Sequence, residues 1–273
     1  MSTYKVVFSD IDGTLLTSDH IISNATMEAI ASLQDNDIPF VIISSRSAPC
    51  IYPILKKHHF HCPIVACGGA WIEDQNGKVL INEGMTRQTA SDVIEFMTEK
   101  KFDLAWGIYS GKNWITNDRT DERILHEEGV VEVKSVEGTI DLLPEDAVVN
   151  KILCMCNPER ILQIEEELKE AFPHLSIVKS SSYLLEIMPA GMNKAKGIRK
   201  FCELYGIATE DSVAFGDNYN DLEMLHAAGC GVLMGNAPAA IRETFPGKIT
   251  LDNNHDGIPT ALKDLGLINN LVH

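Results

Sequence analysis

Tyr4-Lys5-Val6-Val7-Phe8-Ser9-Asp10-Ile11-Asp12-Gly13-Thr14 is an apolar, β-rich run that breaks off in two carboxylates, a glycine and a hydroxyl. The run predicts a strand over residues 4–8, and the polar tail predicts a turn at its carboxyl end. A helix is expected next, because Met27, Ile30, Ala31 and Leu33 recur at helical spacing behind Ser23 and Asn24, which can cap it. Residues 40–43 form a second β-rich run, 51–57 a helix and 63–66 a third short strand. Continuous apolar strands alternating with amphipathic helices imply a parallel sheet covered on both faces. Residues 71–73 and 78–81 then flank Asp74-Gln75-Asn76-Gly77, a hairpin signal.

The pattern changes after about residue 84. Strands are expected at 104–109 and 113–116 around Ser110-Gly111-Lys112, then at 149–156, 175–178 and 183–188. A helix led by Asn157-Pro158 carries Ile161, Ile164, Leu168 and Ala171 on one face. This block reads as a small α+β unit with an antiparallel sheet. Alternation of β and α returns after Pro189-Ala190-Gly191, with strands at 212–215 and 231–234. The expectation is therefore an α/β, Rossmann-like doubly wound parallel sheet over residues 1–83 and 190–273, interrupted by an inserted α+β domain at 84–189.

The 273 residues are 45 % hydrophobic and 23 % charged, which excludes a mostly disordered chain. Lys and Arg number 23 against 39 Asp and Glu, a net charge of −16, so neither nucleic acid nor an anionic membrane is an expected partner. No apolar run is long enough to cross a bilayer. The opening residues lack the basic-then-apolar layout of a signal peptide, and the seven scattered cysteines read as reduced thiols. The expected compartment is the cytoplasm; oligomeric state is not readable.

In open parallel sheets, ligands bind beyond the carboxyl ends of the strands. Asp10 and Asp12 follow the first strand, Ser44-Ser45-Arg46 the second, and Gly216-Asp217-Asn218-Tyr219-Asn220-Asp221 the strand ending near 215. Carboxylates gathered there repel one another unless a hard cation such as Mg2+ sits among them. Asp10 and Asp12, two apart, can divide the work of a nucleophile or metal ligand and a general acid–base. Turn and capping roles account for Asp, Gly and Ser equally simply. Lys194 stands out, because Asn193 reads as a helix N-cap and a cation in a first turn opposes the helix dipole by about 0.3–1 kcal/mol. A phosphoryl group or a crowded aspartate can account for it, as can plain solvation. His58, His59, His61 and Cys62 are too compact for a zinc site and read as a surface helix end. Neither a G-x-G-x-x-G nor a P-loop motif is present.

Taken in order, Asp10-Ile11-Asp12-Gly13-Thr14-Leu15-Leu16, Ile43-Ser44-Ser45-Arg46, Glu186-Ile187-Met188-Pro189 with Gly191-Met192-Asn193-Lys194, and Gly216 through Asp221 resemble the haloacid dehalogenase superfamily. Met234-Gly235-Asn236-Ala237 and Asp256-Gly257 resemble its Cof-type branch with a class IIB cap. Two departures are visible: Ser44-Ser45-Arg46 stands where the family has Thr-Gly-Arg, and Gly197 comes three residues after Lys194 rather than beside it.

The resemblance implies a Mg2+-dependent phosphatase of small phosphorylated metabolites that forms an aspartyl phosphate. Asp10 would be nucleophile and metal ligand. Asp12 would be the acid–base, its backbone carbonyl facing the metal. Asp217 would complete the metal ligands, with Asp221 in support. Ile11, Ser44, Ser45, Lys194 and Asn220 would contact phosphate or substrate, Lys194 being favoured over Lys196. The insert would be the cap that reads the leaving group, with Trp106 and Trp114 either lining it or filling its core. A phosphomutase of the same superfamily and a catalytically silent phosphate-binding protein are the rival readings.

Overall fold

The computed structural model describes residues 4–269. These divide into two compact units. The first holds residues up to Ser45, Phe60–Leu80 and the stretch from Asn193 onward, and the second holds Arg46–His59 and Ile81–Met192.

The first unit is built on a sheet whose strand order, from one edge, is Lys248–Ile249, Cys230–Leu233, Ser212–Gly216, Val6–Ser9, Phe40–Ile43, Ile64–Ala66, Trp71–Glu73 and Val79–Asn82. The first six are parallel, and Trp71–Glu73 turns antiparallel to Ile64–Ala66. Val6, Val7, Phe8 and all of Phe40–Ile43 are fully buried, as continuous apolar strands must be in a sheet covered on both faces. Helices Asn24–Asp35 and Gly257–Asp264 pack together, as do Lys194–Tyr205 and Leu222–Ala227. Chain order runs away from Val6–Ser9 in one direction through Phe40–Ile43 and Ile64–Ala66. It runs in the other direction through Ser212–Gly216 and Cys230–Leu233. The carboxyl ends of Val6–Ser9 and Ser212–Gly216 thus flank the topological switch point, where open α/β sheets bind ligands.

The second unit is an antiparallel sheet of order Leu175–Lys179, Leu184–Pro189, Lys151–Cys156, Leu104–Ser110 and Asn113–Thr116, with Val136–Glu137 parallel at its edge. One face carries Trp106, Ile108, Ile115, Ile152, Cys154, Leu185 and Ile187. It packs on helices Arg87–Glu99 and Ile161–Ala171 through Ala90, Val93, Met97, Ile161, Ile164 and Leu168. Trp106 is therefore a core residue.

Three local expectations are corrected. Residues 149–156 are not one strand: Asn150 leaves the ladder, its Oδ1 accepting from Gly111 N–H at 2.8 Å and its Nδ2 donating to Asn82 Oδ1 and Glu83 O at 2.8 Å each. The helix Glu122–Val131, capped by Asp121, was not anticipated. Arg46–His59 goes with the second unit rather than the first, because Cys50 packs against Tyr109, Trp114, Val131 and Leu153. Among the described residues no helix is long and apolar enough to cross a membrane.

Candidate active site

Directly after strand Val6–Ser9 the chain makes a wide turn, Ile11–Leu15, closed by Leu15 N–H to Asp10 O at 3.2 Å and Leu16 N–H to Ile11 O at 2.9 Å. Asp12 and Gly13 leave helical geometry inside it, and Gly13 takes φ +75°. A Cβ at Gly13 would stand 2.4 Å from Asp217 Oδ2, so only glycine lets this turn approach that carboxylate. Asp10 is buried at 7 % exposure, Ile11 is fully buried, and Asp12 is exposed.

Carboxylate oxygens of Asp10, Asp217 and Asp221 lie within 4.8 Å of one another, the single such metal-ligating group among the described residues. Lys194 joins them from the N-terminus of helix Lys194–Tyr205, which Asn193 caps through Lys196 N–H at 2.8 Å. Lys194 Nζ is 2.6 Å from Asp10 Oδ1 and 2.6 Å from Asp221 Oδ1. A buried lysine in a first turn thus finds its reason in two buried carboxylates. Lys196 is only half-buried. Gly197 has a packing role of its own: a Cβ there would meet Val65 Cγ1 at 2.7 Å and Gly69 Cα at 3.2 Å. The glycine lets the helix that carries Lys194 press against the sheet and the loop after Ile64–Ala66.

Asp221 has both oxygens engaged. Oδ1 meets Lys194, and Oδ2 accepts from the N–H groups of Asp217 and Asn218 at 3.0 Å each. Together with Asn218 it forms a capping box; Asn220 is exposed on the turn Tyr219–Asp221. Asp217 is held by neutral donors instead, Thr14 Oγ1 at 3.0 Å and Asn236 Nδ2 at 3.3 Å. Ser44 is buried at the end of Phe40–Ile43, its N–H donating to Val65 O at 2.9 Å; Ser45 beside it is half-buried.

Burial, helped by Asp221 and Asp12 and opposed by Lys194, raises Asp10 to about 7. Burial raises Asp217 to about 6, with Asp221 adding to it and the Thr14 hydrogen bond opposing. Burial pulls Lys194 down, but Asp10 and Asp221 outweigh it and its ammonium is held well above the usual lysine value. Three carboxylates and one ammonium leave −3 + 1 = −2 when ionised, in an all-oxygen setting. Those residues fit one hard divalent cation, whose charge would cancel the excess that burial penalises. The Asp12 carboxylate stands outside the trio.

Two residues here escaped the sequence reading. Thr14 was visible only as a turn residue. Asn236 sat in a motif noted for its family likeness, yet it ties Gly13 O, at 2.8 Å, to Asp217 and accepts from Asn253 N–H at 3.2 Å.

Comparisons with known proteins agree with this geometry. Residues 7–262 match the family model for haloacid dehalogenase-like hydrolases. A Haemophilus influenzae protein named "Putative phosphatase" is 38 % identical over 96 % of this chain and 98 % of its own length. The Bacillus subtilis 5-amino-6-(5-phospho-D-ribitylamino)uracil phosphatase YitU is 29 % identical over 93 % of this chain and 95 % of its own. A haloacid dehalogenase-like hydrolase from Bacteroides thetaiotaomicron superposes with a TM-score of 0.85 at 26 % identity, over 96 % of this chain and 99 % of that one. With its acidic trio at the switch point of a matching fold, this chain belongs to the haloacid dehalogenase-like hydrolase family and is one of its phosphatases.

Proposed function

We propose that the protein is a Mg2+-dependent phosphatase of small phosphorylated metabolites that works through an aspartyl phosphate on Asp10. The observation that carries this reading is the buried Asp10 carboxylate, ion-paired to Lys194 and within 4.8 Å of Asp217 and Asp221. An oxygen of Asp10 attacks phosphorus, and the bond from phosphorus to the leaving alcohol oxygen breaks. Asp12 gives that oxygen its proton. Asp12 then takes a proton from water as the water attacks the phosphoryl group, which releases phosphate and restores Asp10. Exposure of Asp12 suits a group that must meet both alcohol and water.

When bound, Mg2+ supplies positive charge to the phosphoryl oxygens and orients them. Asp10, Asp217 and the Asp12 carbonyl would hold it, with Asp221 in support while it braces Lys194 and the Asp217 loop. Lys194 and Ser44 hold phosphoryl oxygens, with Ile11, Ser45 and Asn220 as further contacts. The insert, residues 84–189, is the cap that selects the leaving group. The YitU name, which describes a phosphorylated ribityl chain, supports substrates of metabolite size. The test is phosphate release from p-nitrophenyl phosphate with and without Mg2+. Release should need the metal and vanish in Asp10→Asn; full activity of Asp10→Asn would remove the nucleophile.

A further inference from the structure

Strand Ser212–Gly216, which Asp217 follows, lies between Cys230–Leu233 and Val6–Ser9 in the parallel sheet. The loops after those two neighbours reach Asp217 from either side, and each supplies one donor. Thr14 Oγ1 donates to Oδ1 at 3.0 Å, and Asn236 Nδ2 donates to Oδ2 at 3.3 Å. A hydroxyl and an amide carry no net charge, so they orient this carboxylate and leave its charge uncancelled. Asp10 and Asp221 are placed differently, each with an oxygen 2.6 Å from the ammonium of Lys194. Of the trio, Asp217 is thus the carboxylate best able to offer its full charge to a cation.

Asn236 does more than hold one oxygen. Its Nδ2 also donates to Gly13 O at 2.8 Å, and its Oδ1 accepts from Asn253 N–H at 3.2 Å. Two acceptors on one side and a donor on the other fix which way the amide points, and no other side chain of that length offers two N–H donors and an acceptor. The backbone around it is anchored as well. Met234 N–H donates to Gly216 O at 2.9 Å, Gly235 N–H to Leu251 O at 3.1 Å, and Ala237 N–H to Met234 O at 3.1 Å. A Cβ at Gly235 would meet Asp252 N and Thr250 O at 2.9 Å each, so this loop is tightly packed. Gly13 follows Asp12, whose carbonyl would hold the cation together with Asp217. A single amide therefore joins the two segments that carry those oxygens, although Gly13 and Asn236 are 223 residues apart in the chain.

We propose that Asn236 is a positioning residue that sets the affinity of the acidic trio for its divalent cation, by locking the Asp217 carboxylate to the turn that carries Asp12. The proposal rests on the reading of Asp217 as a metal ligand above. A donor that holds a ligating carboxylate from behind fixes its direction, and losing one lowers metal affinity by about 10- to 100-fold. Here the loss belongs at the lower end. Thr14, at 2 % exposure, still holds Oδ1 when Asn236 is replaced, and Asn236 itself is exposed, so water can take over part of its role.

The experiment is isothermal titration of Mg2+ into metal-free wild type, Asn236→Ala, Asn236→Leu and Asn253→Ala. Leucine keeps the shape of asparagine and drops its hydrogen bonds. Asn253 is the control from the same network: its Nδ2 donates to Leu16 O at 2.8 Å, and truncating its side chain leaves the backbone N–H that meets Asn236. The Mg2+ Kd should rise about tenfold in both Asn236 variants and stay within about twofold of wild type in Asn253→Ala. At saturating Mg2+, KM for p-nitrophenyl phosphate should stay within about twofold in all of them, because what is lost is a hold on the metal ligand. An unmoved Kd in the Asn236 variants, with or without a fall in Tm, would overturn the proposal, as would an equal rise in Asn253→Ala. Wild type that binds Mg2+ and releases phosphate while the Asn236 variants bind equally well defeats this proposal alone. Wild type that neither binds Mg2+ nor releases phosphate defeats the metal-dependent reading as well.

Discussion

The acidic end of the parallel sheet and the polar face of the antiparallel sheet both bury carboxylates, and they hold them differently. In the first unit Asp10 and Asp221 share Lys194, while Asp217 rests on Thr14 and Asn236. In the second unit two successive glutamates diverge. Glu128 accepts from Arg119, Lys134 and both the N–H and Oγ of Ser135, at 2.7–3.2 Å. Glu127, one residue earlier and also buried, keeps an oxygen with no partner. A fully partnered carboxylate is explained by the fold. The excess charge of the acidic trio is what a bound divalent cation would cancel.

The comparison can be broken most sharply at Asp10. Asp10→Asn should lower kcat by on the order of 10³-fold or more, with the far-UV circular dichroism unchanged. Comparable activity would mean that the trio is merely structural. Asp221→Ala comes next. It leaves Lys194 half-paired and two N–H groups without an acceptor, so it should cost about 3 kcal/mol in chemical denaturation and depress turnover too.

The two glutamates separate at a smaller scale. Glu128→Ala strands Arg119 and the Ser135 N–H and should cost about 2 kcal/mol, whereas Glu127→Gln should cost almost nothing. Equal losses would erase the distinction between the neighbours. The smallest effect is in the pH dependence, and it runs in opposite directions. Asp10 and Asp217 are raised to about 7 and about 6, above their usual 3.8, so in metal-free protein they bind protons more tightly folded than unfolded. The stability they contribute is full below about pH 4 and is lost as pH rises to about 7. Glu128 is lowered to about 2: burial opposes this, but Arg119, Ser135 and Lys134 prevail. Its contribution is full above its usual 4.5 and is lost as pH falls toward 2. Thermal melts in chelator should show a decline on both sides, and added Mg2+ should raise Tm more at pH 8 than at pH 5.

Legibility in the sequence followed the range of the interaction. Asp10, Asp12 and Asp217 each sit at the end of an apolar run, so local pattern and the switch-point rule were enough to bring them forward. Lys194 could be singled out because it breaks the helix-dipole preference within its own turn. Thr14 and Asn236 could not, since what they hold is Asp217, 203 and 19 residues away. The same holds for Arg46–His59, whose membership in the second unit depends on Cys50 meeting Tyr109, 59 residues on. Glu127 carries no local signature at all: an orphan atom exists only once the face around it has formed.

The chemistry itself can be tested by trapping. Asp12→Asn protein incubated with Mg2+ and p-nitrophenyl phosphate, quenched and reduced with borohydride, should yield homoserine at position 10 by peptide mass spectrometry, because an acyl phosphate is reduced and a carboxylate is not. Homoserine at another position, or its absence while Asp10→Asn still turns over substrate, would contradict covalent transfer to Asp10.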